Sequence, residues 1–493
     1  MAGQATIGDR VRGLRLNKHM SQAQLAGQDL SDSYVSLIES GKRTPTPVVT
    51  RLLADRLGCT AEFLLHGIEP HQRVDTGLAL RHAELELLYG DPALASGRFA
   101  AVVKAADHDG AVLGAQARLG QARALEAEGR TAQAVEAYER LRREAAAHPE
   151  RLADLPLVVA LCRCYHRAGD TLRAGDLGAE AVAMADRLGL DRGDLALDLA
   201  AVLAETEIDL SYPERVLTAS GAPQVTGSGS EALELWRASL AAAGEDSMLA
   251  VVLADDAVAA GRPAREAGRY VRGAMHWAWL ATARPGGADL TRAGEFAASA
   301  VDVLSTLAPG TPEHARSLLV LSRVRLRAGV NGTAGAAGLG GTGRTGLSEP
   351  LDDVAALVDR ALTLLDGARG TVPAMASVIL AELALARSKD AAPALAEAER
   401  LLDATPATPA DLAAPSSPAA PATGRETARL WREIGDLWGR AGSPAGQMNA
   451  YRRALELIGV AARPETPPAP ARYAVAGPAI PVRSGAPAGP GTG

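Results

Sequence analysis

The sequence predicts an all-α protein, a small N-terminal domain of five short helices followed by a long stack of paired helices. Three observations predict it. Between Ser21 and Gly41, SQAQLAGQDLSDSYVSLIESG, two capped helical segments flank a short polar turn. From Leu78 onward, alanine-rich stretches of roughly 12 to 18 residues with helical periodicity are broken by glycine, with no convincing strand between them. A turn glycine also recurs in a fixed company of small and aromatic residues, which is the mark of an internal repeat.

The first helix is expected from Ile7 to about Lys18, with Ile7, Val11 and Leu14 on one face. Ser21 and Gln24 form a capping box, each side chain satisfying a free backbone N–H, and open a helix from Gln22 to Ala26. After Gly27-Gln28-Asp29, Ser31 caps a third helix with an inward stripe of Val35 and Ile38, and Gly41 ends it. Thr46 caps and Pro47 begins a fourth, with Leu52, Leu53 and Leu57 inward and Gly58 at its end. Thr60 caps a last helix carrying Phe63 and Leu64. The polar stretch that follows places the boundary, giving a domain over 1–68 and a linker over 69–77.

At these residues the chain resembles the Cro/repressor-like helix-turn-helix family, often called the XRE family. The match runs from Ile7 to Leu65: Arg15 late in helix 1, SQAQLA, SYVSLIESGK, then Pro45 and Pro47 and a closing AEFLL. The resemblance implies a five-helix lambda-repressor-like DNA-binding domain. It implies that Gln22 binds a phosphate from the start of helix 2 and that Arg15 pairs with Glu39 to lock helix 1 against helix 3. Asp32, Ser33, Ser36 and Leu37 would then face base edges in the major groove, with Tyr34, Lys42 and Arg43 near the backbone and the capping Ser31 also counted among the DNA-binding residues. The sequence departs from the family at one point: between Leu25 and Tyr34 the turn is about one residue short and lacks the usual glycine before the recognition helix.

Charge is consistent with a local DNA face and not with a general one. The chain carries −7 overall, whereas Ile7 to Thr44 has six basic residues against four acidic ones, a net of +2. Lysine occurs only at positions 18, 42, 104 and 389, so the positive charge is nearly all arginine. No basic-then-apolar leader is visible, and runs such as Leu157 to Cys162 fall far short of the ~20 apolar residues a membrane helix needs. Three cysteines, Cys59, Cys162 and Cys164, offer no disulfide framework. A cytoplasmic protein with no membrane contact is expected.

The repeat shows in three windows aligned on the turn glycine. Leu125, Gly129, Ala134 and Tyr138 make the first, and Tyr165, Gly169, Ala174, Gly178 and Ala181 the second. Near the C-terminus, Trp431, Ile434, Gly435, Trp438, Gly442, Tyr451 and Ala454 repeat the scheme most fully. They resemble the tetratricopeptide repeat, although Gly129 and Gly169 stand 40 residues apart, more than its ~34. A tetratricopeptide-type α-solenoid is expected over 78–462, interrupted by flexible Gly-, Ser-, Pro- or Ala-rich insertions at 219–230, 329–346 and 405–424. A disordered tail is expected over 463–493. Trp236, Trp277 and Trp279 are expected chiefly to fill grooves between helices.

Catalytic patterns do not survive inspection. GLGGTGRT from Gly338 satisfies G-x-G-x-x-G and nearly a phosphate-binding loop, but a helix precedes it and Arg344 stands where the lysine belongs. Cys162-x-Cys164-x-His166 lies on a helix, where residues two apart diverge. His19, His66, His71 and His82 lack a nucleophile or paired carboxylates. No enzyme, cofactor or metal is expected. The expected function is a sequence-specific transcriptional regulator that binds a double-stranded DNA operator as a homodimer. Its repeats would supply the dimer platform and a groove for a peptide, small-molecule or protein effector. The competing expectation is a protein-interaction scaffold whose helix-turn-helix docks on protein, favoured by the low positive charge and by the acidic Asp32.

Overall fold

A computed structural model describes residues 6–66, 70–106, 111–224, 230–283, 290–337, 348–403 and 420–457, and every element among them is helical. The N-terminal domain contains α1 (Ile7–Asn17), α2 (Gln22–Ala26), α3 (Asp32–Glu39), α4 (Pro47–Leu57) and α5 (Ala61–His66). Thr6 with Asp9 and Ser21 with Gln24 form capping boxes, and Ser31 and Thr46 cap α3 and α4 through their side-chain oxygens. Val11, Leu25, Val35, Ile38, Leu53, Leu57 and Leu64 make a core that belongs to this domain alone. Leu52 is half-buried, so the inward face of α4 is Thr50, Leu53, Ala54 and Leu57.

Among the described residues nine helix pairs follow. The first are α6 (Pro70–Tyr89) with α7 (Pro92–Ala106), α8 (Ala111–Ala127) with α9 (Thr131–Ala147), and α10 (Asp154–Ala168) with α11 (Thr171–Leu188). Then come α12 (Asp194–Thr206) with α13 (Ser211–Ser220), α14 (Ser230–Ala242) with α15 (Ser247–Ala260), and α16 (Arg262–Ala283) with α17 (Leu290–Leu307). The last are α18 (Pro312–Ala337) with α19 (Ser348–Leu365), α20 (Thr371–Ala386) with α21 (Ala392–Asp403), and α22 (Ala420–Arg440) with α23 (Pro444–Leu457). The repeat glycines do what their spacing implies. Gly169 ends α10 at φ 98°, where a side chain would be strained. Gly435 lies under the Tyr451 ring, so close that a β-carbon would sit 2.5 Å from it.

The first helices of successive pairs form an inner row, α10, α12, α16, α18, α20 and α22, each packed on the next. The row curls until α10 touches α22. One pair leaves this order. α12 packs directly on α16, and the intervening α14–α15 hairpin instead covers α6, far earlier in the chain. There Leu78 and Leu85 of α6 meet Trp236, Ala250, Ala254 and Ala257. His82 Nε2 lies 2.9 Å from Ser239 Oγ, and Arg81 donates to Asp255 at 2.8 Å. The other face of α6, Leu80 and Ala83, packs on Phe99, Val102 and Ala117 of α7 and α8. Being apolar on two faces, α6 requires a cover on both.

Several boundaries differ from those expected. The stretch 69–77 is not a linker from Pro70 onward, because the polar residues there are the opening turns of α6. Polarity alone does not stop a helix whose later turns are packed. The expected loop at 329–346 begins as helix, since α18 runs on to Ala337; extending an already formed helix costs little per residue. Residues 420–424 likewise belong to α22, and α14 begins at Ser230. The rest of the insertion at 405–424, the segment at 338–347 with its phosphate-loop pattern, residues 225–229 and the tail at 463–493 lie outside the described residues. No helix is long and apolar enough to cross a membrane among the described residues.

Trp236 is buried against α6, so Trp236→Ala removes one of the largest side chains at that junction. Such a truncation costs about 3–5 kcal/mol. Hydrogen exchange of the full chain should show faster exchange over Leu78–Leu85 while α18 and α20 keep their protection.

Candidate nucleic-acid interface and inner cavity

Helix α3 is presented by a buried ion pair. Arg15 Nε donates to Glu39 Oε1 at 2.6 Å and its terminal nitrogen to Oε2 at 3.0 Å, a two-pronged pairing, while another nitrogen donates to the Met20 carbonyl at 2.8 Å. The Arg15 and Glu39 side chains are 11% and 5% exposed. Burial works to raise the Glu39 carboxyl, but hydrogen bonds from Arg15 and Gln22 outweigh it and hold it below its ordinary value. α1 and the C-terminal end of α3 are thus fixed to each other. Close packing enforces the same alignment, because a β-carbon on Gly8 would fall 2.2 Å from the Ile38 carbonyl oxygen.

With Val35 and Ile38 fully buried, the opposite side of α3 faces outward. Ser31, Asp32, Ser33, Ser36 and Leu37 are exposed along it, and Lys42 and Arg43 stand exposed just beyond its end. Ser31 Oγ accepts from the Tyr34 backbone N–H at 3.1 Å, and Asp32 accepts from that of Ser33 at 2.9 Å. Tyr34 is half-buried against the domain core, with the Arg43 guanidinium 5.0 Å from its ring centre. The Gln22 amide nitrogen donates to Glu39 Oε2 at 2.7 Å. It therefore braces the buried carboxylate.

The shortened turn has its own support, which the sequence pattern did not reveal. Arg56 of α4 donates to the carbonyls of Leu25, at 2.9 Å, and Ala26, and pairs with Asp29. These carbonyls end α2, and the guanidinium caps them from another helix, the Ala26 carbonyl also accepting from the Leu30 N–H at 3.2 Å. Gly27, at φ 56°, lies so near that a β-carbon would sit 2.8 Å from Arg56 Cζ. Arg10 similarly ties α1 to α5 by donating to the Leu64 and Leu65 carbonyls at 2.9 and 2.7 Å.

A second feature lies within the repeats. The curl of the inner row encloses a cavity of about 280 Å³ lined from α10, α12, α16, α18, α20 and α22. Met275, Val320, Met375 and Leu430 make its apolar surface, and three arginines, Arg167, Arg316 and Arg429, face three glutamates, Glu205, Glu426 and Glu433. Trp279 forms one wall, with Arg323 stacked 3.8 Å from its ring centre. Trp236 and Trp277 are buried, whereas Trp279 borders this space. No sequence signal pointed to the cavity, because its walls come from six helices between His166 and Glu433.

Cys162 and Cys164 are fully buried, and burial pushes both thiols up to about 12. Among the described residues no group of histidines, cysteines and carboxylates has metal-binding geometry.

Residues 6–64 match a family model described as a helix-turn-helix domain. The chain therefore carries a helix-turn-helix domain at its N-terminal end, followed by a helical solenoid. No characterised protein gives a sequence match. Among solved structures, the chain is similar to the apo form of the quorum sensor NprR from B. thuringiensis, at 8% identity and a TM-score of 0.45, over 92% of this chain and 99% of that one. It is also similar to Bacillus thuringiensis PlcR in complex with the peptide PapR7 and DNA, at 12% identity and a TM-score of 0.29. That match covers 61% of this chain and 95% of the other.

Glu39→Gln should leave Arg15 buried and unpaired, a loss of about 3–5 kcal/mol for such a pair, read as faster amide exchange in α1 and α3 of the full chain. Because the folded-state carboxyl is depressed, its stabilisation is complete above the ordinary value of 4.5 and is lost as pH falls through the lower folded value. The wild-type domain should lose protection across that acid window, and the Glu39→Gln variant should show a smaller dependence there.

Proposed function

We propose that this chain is a sequence-specific DNA-binding transcriptional regulator whose repeat array receives an effector. The observation that carries the reading is the exposed row on α3. Ser31, Asp32, Ser33 and Ser36 stand on a helix whose back is anchored by fully buried residues and by the Arg15–Glu39 pair. Side chains that must read base edges have to be held in a fixed register, and this helix is so held. Serines can donate to or accept from any base, and Asp32 can accept from a cytosine amino group. Lys42 and Arg43, at the far end of α3, suit phosphates, with Tyr34 fixing Arg43 from below. Gln22, whose amide nitrogen braces Glu39, keeps a second N–H for a phosphate at the start of α2.

One recognition helix spans only a few base pairs, so the protein is taken to act as a homodimer on half-sites about one helical turn apart. The effector, a peptide, a small molecule or a protein, is assigned to the inner row of the array. It can change DNA binding only through unequal affinity for the two states of the dimer. A cytoplasmic location follows from this function.

The full chain, mixed with fragmented DNA of its own genome at near-physiological salt, should retain fragments that share a two-fold-symmetric motif. Ser33→Ala with Ser36→Ala, both exposed and neither part of the core, should abolish the enrichment while leaving melting unchanged. On the recovered motif, Arg43→Ala should reduce the slope of log affinity against log salt by about 0.9 for each phosphate that Arg43 neutralises. Absence of any enriched motif would favour the second reading, a scaffold whose domain docks on protein. That reading draws on the acidic Asp32 at the head of α3 and on the net charge of −7.

A further inference from the structure

The cavity within the inner row has a composition that narrows what it can hold. Its walls carry equal numbers of arginines and glutamates, so a ligand with a single charge would meet repulsion from half of them. An uncharged apolar ligand would strip water from six charged groups and return nothing. A molecule with both a cationic and an anionic end avoids both costs. The apolar surface, with Met275 and Met375 both buried, requires a hydrophobic body between the two ends.

The positions of individual groups sharpen this. His276 Nδ1 lies 2.9 Å from the Arg272 carbonyl, which makes Nδ1 the donor and leaves Nε2 as an acceptor where the ring borders the cavity. Burial works to keep the imidazole neutral, against the opposing pull of Glu205. Glu205 Oε1 is paired with Arg272 at 3.1 Å, and the acceptor capacity left on that carboxylate, together with His276, suits an ammonium group. Arg316 and Arg429, each holding one carboxylate, at 2.6 Å from Glu426 and 2.5 Å from Glu207, have further N–H donors for a carboxylate. At about 280 Å³ the space is at or below the lower limit of drug-sized pockets, ~300–1,000 Å³. An amino-acid-sized molecule fits within it.

We propose that the inner cavity binds a small apolar zwitterion of the size of one free amino acid, its ammonium at Glu205 and His276 and its carboxylate at Arg316 and Arg429. This deepens the effector assignment above and rests on it for any regulatory consequence, but not for binding itself. Because Glu205 belongs to α12 and Arg429 to α22, the bound molecule joins the middle of the array to its last pair. The Arg429–Glu207 ion pair already spans that seam.

The test uses the full chain and four probes, L-leucine, L-methionine, L-phenylalanine and L-tryptophan, with their N-acetyl and carboxamide derivatives. At least one free amino acid should raise the melting midpoint in proportion to the logarithm of its concentration and bind at one site per chain by calorimetry. Capping either end should weaken binding by about tenfold or more, the loss expected for a charge-assisted hydrogen bond. Arg429→Gln, at a half-exposed position, should weaken the free amino acid to the level of the amide-capped one, with the variant's own melting midpoint as the reference for its ligand shift. The proposal is overturned if all four leave melting unchanged at millimolar concentration, if capped and free forms bind alike, or if Arg429→Gln binds as the wild type does. Melting needs no operator, so binding without an enriched DNA motif would remove the regulator and keep the site. An enriched motif without amino-acid binding would do the reverse.

Discussion

A helix pair with one apolar stripe cannot be stable until something covers that stripe, and the architecture beyond residue 70 follows from this constraint. Apart from the α14–α15 hairpin, which packs on α6, each pair from α8 onward is covered by the one that follows it in the stack, and the buried surface runs as one core from Ala115 to Ala450. The ends of such a stack are its weak points. At the N-terminal end the exposed face of α6 is closed by the α14–α15 hairpin brought back from the middle of the chain. The end is thus covered without a polar terminal repeat.

Charge sets how the pairs align. Arg163 of α10 donates to Glu126 of α8 at 2.5 Å and to Asp198 of α12 at 3.0 Å, reaching a neighbour on each side. Arg323 of α18 donates to Glu433 of α22 at 2.8 Å and lies 3.7 Å from Glu382 of α20. Arg323 Nε and Glu382 Oε2 are buried without hydrogen-bond partners. Buried charges contribute little net stability, since desolvation offsets most of their attraction. Apolar side chains tolerate sliding between helices in a way that such bridges do not. Mostly alanine surfaces, small and alike, would otherwise specify the stacking angle poorly.

Much of the N-terminal domain was legible because its signals are local. Ser21, Ser31, Thr46, Pro47 and Gly58 act within one helical turn, and each stands where its cap was expected. The Arg15–Glu39 pair was readable only through the family resemblance, as its partners are 24 residues apart. Arg56 escaped notice for the same reason, and so did the bracing role of Gln22. In the repeats, turn glycines and the small residue at Gly178, where a β-carbon would come 2.8 Å from Ile208, were visible as periodicity. The cavity and the α14–α15 excursion were not, because neither leaves a trace within any single repeat. Composition also misplaced two boundaries: a glycine- or polar-rich stretch beside a packed helix is extended by that helix before its own preference takes over.

The excursion of α14 and α15 gives the chain a temporal order. In an ordinary solenoid each pair finds its partner as soon as the next has been made. Here α6 remains bare on one face until residue 260 has emerged from the ribosome, after four later pairs have been synthesised. The helix-turn-helix domain has its own separate core and can fold during that interval, but the helix that carries it into the array cannot be fully docked. Vectorial synthesis therefore separates the protein into a head that matures early and a neck that is set only when half the chain exists.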